Sequence, residues 1–67
     1  MFLMARIDRN TGAEREWFVA FTPEVEQVQV TRTRNNARLF KRESDAMSVR
    51  DMAAEIAPEH QWKVVAA

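Results

Sequence analysis

The chain has 67 residues, with 10 Lys and Arg balanced by 10 Asp and Glu, so residues 1–67 make a single small domain with no net charge to advertise a partner. At this length folding buries only about 60% of the surface the unfolded chain exposes, close to the limit for a domain without a staple. Cysteine is absent, which excludes disulfides, thiolate nucleophiles and sulfur-ligated zinc, argues against a secreted disulfide scaffold and fits a reducing cytoplasm.

The apolar start, residues 1–5, gives way to Arg6 and Asp8, far short of a signal-peptide core or the roughly 20 residues of a membrane span. The expectation is a cytoplasmic protein with no membrane partner. Apolar residues make up 46% of the chain, but ten of them are alanine, so the core is thin. Set against about 1.5 kcal/mol of conformational entropy lost per ordered residue, a core of this size lies near break-even, and a marginal monomer or a homodimer is expected.

Residues 2–8 and 14–21 are two apolar-rich stretches separated by Arg9, Asn10, Thr11 and Gly12, the only glycine. This pattern predicts a β-hairpin. In the second stretch strict alternation puts Trp17, Val19 and Phe21 on one side and Phe18 with Ala20 on the other. Both sides are apolar, so one of them is expected to meet a second layer or another chain.

Thr22, Pro23 and Glu24 could open a helix, but Val28 and Val30 then alternate with Gln27, Gln29 and Thr31, a β-branched period of two. Residues 22–24 are therefore expected to turn, and residues 25–31 to form a third strand with Glu26, Val28 and Val30 on one face. Asn35 and Asn36 signal another turn, while residues 37–40 fit either a short helical turn or a brief extended piece.

From Ser44, a plausible N-cap, Ala46, Val49, Met52, Ala53 and Ile56 recur at helical spacing and Asp45 suits the first turn, predicting a helix over 45–57 that stops at Pro58. After a turn at residues 58–60, residues 61–65 alternate as a last strand, with Trp62 and Val64 on one side. The expected fold is α+β: a small antiparallel sheet in the order β-β-β-α-β, one helix packed on one face and the other face uncovered.

Catalytic chemistry finds no constellation. Ser44 and Ser48 lack a base and an orienting group, and His60 is expected in a solvent-exposed turn. No catalytic residue is assigned. Asp51 with Glu55, one helical turn apart, and Glu14 with Glu16 read as solvated faces rather than metal ligands, and one glycine cannot build a phosphate loop. Neither a metal, a cofactor nor a small-molecule substrate is expected.

Charge is segregated despite its neutral total. Arg32, Arg34, Arg38, Lys41 and Arg42 fall within eleven residues that hold no acid, and acids predominate from Glu43 onward. Such a cluster can neutralise phosphates, with Phe40 available to stack on a base; alternatively the cations are solvated or pair with Glu43 and Asp45, with Phe40 in the core. The other outward-pointing feature is the aromatic content, six Phe and Trp residues, more than so small a domain can hide. Aromatic anchors beside arginine are the composition of a protein-binding centre.

The layout, without a catalytic motif and with a segregated surface, is similar in general architecture to small accessory proteins of bacteriophages and mobile elements, many of which bind and redirect a host protein. That similarity covers no motif and carries no residue over. The sequence therefore predicts a non-enzymatic interaction module that binds a protein partner, or itself, through Trp17, Val19, Phe21 and Trp62, with Phe2 or Leu3 beside them. The alternative is nucleic-acid binding through Arg32, Arg34, Arg38, Lys41 and Arg42.

Overall fold

The computed structural model describes residues 1–67, the side chain of Pro23 excepted. Its elements are β1 (Phe2–Ile7), β2 (Glu14–Thr22), β3 (Gln27–Thr31), α1 (Glu43–Ile56) and β4 (Gln61–Ala66), with 3-10 turns at Pro23–Val25 and Arg34–Asn36. The strands form one four-stranded sheet in the order β3-β2-β1-β4, every neighbouring pair antiparallel, with α1 on one face. The chain is thus a small α+β fold in the β-β-β-α-β order its sequence predicts. Among the described residues no helix is long and apolar enough to cross a membrane.

The β1–β2 hairpin is organised by Asp8. Its Oδ1 accepts the N–H groups of Asn10 at 2.8 Å and Thr11 at 3.2 Å, and its carbonyl accepts the N–H of Gly12 at 2.8 Å. Gly12 adopts φ +73°, the left-handed region that costs a side chain about 1–2 kcal/mol. The Asp8 carboxyl therefore does locally what a longer turn would need several residues to do.

A β-bulge changes the faces of β2. Phe18 pairs with Val30 and Ala20 with Gln29, leaving Val19 unpaired between them. One extra residue reverses the alternation beyond it. Phe18 and Phe21 consequently point to the same face, where their rings meet edge-on at 5.0 Å between centroids, and Trp17 points to the other.

β1 and β2 pair only as far as Ala5 and Trp17. Beyond that point the strands part, and residues 38–40 lie in the opening, bonded to both. The Arg38 N–H donates to the Phe18 carbonyl at 2.9 Å, and Phe2 and Phe40 exchange both backbone hydrogen bonds at 2.8 and 2.9 Å. Of the two conformations open to residues 37–40, the extended one is adopted, and it brings the Phe40 ring into a stacked contact with Phe18 at 6.1 Å.

The helix begins at Glu43, so the residue at its cap is Arg42, in extended geometry and with no side-chain cap bond. Ser44 is not the N-cap. It lies one residue inside the helix, where its carbonyl accepts the Ser48 hydroxyl. Glu43 and Asp45 occupy the first turn, where the helix dipole favours acids. The buried line of the helix is alanine, at Ala46 and Ala53, and such small residues let the backbone close on the large side chains of Met4 and Trp62 in the same core cluster. The helix lies mainly over β4 and β1 and reaches β3 only at its margin.

The opposite face of the sheet is less bare than expected. Leu3, only 3% exposed, sits beside Arg34, Asn35, Ala37 and Leu39, so the segment between β3 and α1 folds over that end. Ala5 is also fully buried there, its cross-strand neighbours being Trp17 and Lys63, whose bulk closes over it.

Candidate functional site

The four aromatic and aliphatic anchors expected to form one binding face are not brought together. Trp17 lies on the face away from the helix, half-buried, with its indole N–H donated to Glu14 Oε1 at 2.9 Å. Val19 is the half-buried bulge residue. Phe21, turned over by the bulge, packs into the helix-side core together with Phe2. Trp62 is 8% exposed in that same core, beneath the helix, so it belongs to the opposite face from Trp17.

The basic segment is dispersed by its own turns. Arg34 reaches the Ala66 carbonyl at 2.6 Å on the far face, whereas Arg38 lies over the Phe40 ring at 5.6 Å. Arg38 and Lys41 border the helix near Asp45, and Arg32 stands at the other end of the sheet with Arg6 and Glu16. Arg42 marks the start of the helix. All five cations are exposed, and among the described residues none of them lies within ion-pair distance of a carboxylate. Phe40 is buried, which leaves no face of its ring for a base.

A narrow helix on a four-stranded sheet leaves the β3 side partly open. There a groove of about 220 Å³ runs between the end of α1 and β3, floored by Val28 and Val30 and walled by Ile56, Ala57 and Trp62. Ile56 is 36% exposed and Met52, one turn earlier on the same flank, 50%; Val25, just before β3, is 58% exposed. Met1, Leu39 and Met47 are exposed as well, but of the exposed large apolar side chains it is Ile56 that lines this groove. The alternation of Val28 and Val30 was visible in the sequence, but the opening above them depends on where the helix lands.

At the polar end of this groove, Arg6 forms an ion pair with Glu16 and donates to His60 Nε2 at 3.2 Å. A guanidinium only donates, so Nε2 acts as the acceptor in that contact. His60 is half-buried rather than fully exposed, its ring set edge-on against Trp62 at 5.9 Å. Sequence reasoning missed this cluster, although hairpin register alone places Arg6 opposite Glu16. Asp51, by contrast, contacts only neighbouring Arg50 at 3.4 Å, as a solvated helix face does. Comparison with family models, curated proteins and solved structures finds no match to this chain.

Proposed function

We propose that the protein is a non-enzymatic interaction module that binds protein through the apolar margin between α1 and β3, centred on Val28, Val30 and Ile56. The observation that carries this is the groove between the end of α1 and β3, in which exposed Ile56 stands over an aliphatic floor of Val28 and Val30. Contiguous exposed apolar surface on a small domain marks a contact site, and the polar Arg6–Glu16–His60 end supplies a rim. Trp17 and Val19 remain on the other face as subsidiary contacts, while Phe21 and Trp62 support the fold.

The test is capture from lysate of the source cell by tagged protein, with and without nuclease. Nuclease-resistant capture that is lost in Ile56→Glu and kept in Trp17→Ala is the expected result. Equal capture by wild type and Ile56→Glu overturns the reading.

Nucleic-acid binding is the second reading, supported by five exposed cations with no carboxylate partner. Gel retardation at low salt that weakens steeply as salt rises would carry it, each phosphate contact adding about one unit of slope. No retardation at low salt removes it.

A further inference from the structure

We propose that the partner at this margin is a second copy of the chain, joined to the first by antiparallel pairing of β3 with its symmetry mate about a two-fold axis at Gln29. The inference rests on the protein-binding role proposed for the α1–β3 margin and names its occupant.

The two edges of the sheet differ. β4 carries Lys63 at its centre and its end is tied down, with Arg34 on the Ala66 carbonyl and the Ala67 N–H on the Met1 carbonyl. An edge lysine is a common guard against strand addition. β3 reads Gln27, Val28, Gln29, Val30, Thr31, with no charge, no proline and β-branched residues at three positions. Such an edge is a template for another strand.

The sequence around β3 is also close to self-complementary. Antiparallel pairing centred on Gln29 sets Val28 against Val30 of the mate and Gln27 against Thr31, and it brings the exposed Glu26, in the turn before the strand, near the exposed Arg32 just after it. Symmetry makes each of these contacts twice. Glu26, in a left-handed turn at φ +49°, and Arg32 flank β3, and both side chains reach the helix side. That is where Glu26 borders the groove and Arg32 stands near Arg6 and Glu16. Because Val28 and Val30 are equidistant from Gln29, the register holds whichever set of backbone groups faces outward.

The helix offers no obstruction, since it lies over β4 and β1. Two copies would form one continuous sheet with both helices on the same face, and the two grooves would merge into a single trough floored by four valines. A five-residue strand pair buries less than the roughly 1,200 Å² of a standard specific interface, so the dimer is weak and concentration-dependent.

The experiment is sedimentation or light scattering of the purified full chain over a concentration series, with circular dichroism confirming that each variant folds. Wild type is expected to pass from monomer to dimer. Gln29→Lys, which opposes two lysines at the axis, should raise Kd by about tenfold or more. Glu26→Arg and Arg32→Glu should each raise it by about tenfold, since each turns two attractive contacts into two repulsive ones. An equimolar mixture of the two single variants restores both attractive contacts and should dimerise within about threefold of wild type. A wild type that stays monomeric to about 1 mM, a Gln29→Lys variant as dimeric as wild type, or a mixture no better than its components each overturns the proposal. A monomeric wild type whose capture of other protein still depends on Ile56 overturns the second copy alone, whereas loss of that dependence overturns the binding margin itself.

Discussion

Phe21→Ala should destabilise the domain far more than Trp17→Ala, because the bulge at Val19 sends Phe21 into the core and leaves Trp17 outside it. Truncating a fully buried Phe costs about 3–5 kcal/mol. Phe21 is half-buried, which lowers that figure, but it also loses an edge-on contact with Phe18 at 5.0 Å, a geometry worth about 0.5–1.5 kcal/mol beyond area. The sum is about 3 kcal/mol. Trp17 sits half-exposed, with its polar handle on exposed Glu14, and its loss should cost about 1 kcal/mol.

For a 67-residue domain total stability is roughly 3–10 kcal/mol, and each kcal/mol moves Tm by about 4–8 °C. Phe21→Ala should therefore lower Tm by about 12–24 °C, or leave the chain largely unfolded, against about 4–8 °C for Trp17→Ala. Circular dichroism melts at one fixed protein concentration make the comparison, since self-association would otherwise shift both midpoints. Were β2 unbulged, Trp17 and Phe21 would share a face and their losses would converge. Equal shifts in Tm would refute the register placed at Val19.

Three further outcomes follow from the same geometry. Phe40→Ala should cost about 3 kcal/mol, because its buried ring stacks on Phe18, whereas Arg38→Ala removes one cation–π contact worth about 0.5–1 kcal/mol; urea midpoints distinguish the two. Gly12→Ala meets no atom within 4 Å, so its cost of about 1–2 kcal/mol is purely that of a side chain at φ +73°, and a loss below 0.5 kcal/mol (about the noise for surface changes) would contradict the turn. The N–H groups of Asn10 and Thr11, followed by Arg15, hold the Asp8 carboxyl below its ordinary range. The stabilisation from a lowered carboxyl pKa is complete above about pH 4 and fades as pH falls through the folded value, so Tm should drop more steeply below pH 4 in wild type than in Asp8→Asn.

The parts of the fold set by short-range pattern were legible. The hairpin followed from two apolar runs around Gly12, β3 from the alternation of Val28 and Val30, and the helix from Ala46, Val49, Ala53 and Ile56. Two features that decide the surface were not. A bulge is one residue of slippage, and nothing local to Val19 distinguishes it from a paired residue, so the faces of Phe21 and Trp17 were assigned by an alternation that the chain breaks. The place of residues 38–40 depends on backbone hydrogen bonds to Phe18 and Phe2, partners far away in the chain that no local pattern announces. Ser44 illustrates a smaller limit: a good capping residue was present, but the helix took one more turn residue, Glu43, ahead of it.

The bulge at Val19 and the extended course of residues 37–40 account together for the open margin. Beyond Trp17 the second half of β2 parts from β1 and remains bonded to β3, and the extended residues 38–40 fill the opening. Phe40 then supplies bulk over the centre of the sheet that a second helix would otherwise supply, and a single helix suffices if it centres on β1 and β4. Its alanine line holds it there, close to Met4 and Trp62. β3 is thereby left at the end of the sheet with one strand neighbour, a helix that barely reaches it and no charge along its length. The feature that lets so short a chain close a core on one side is thus the one that leaves an uncapped, aliphatic edge on the other, and that edge is the one the proposed dimer would pair.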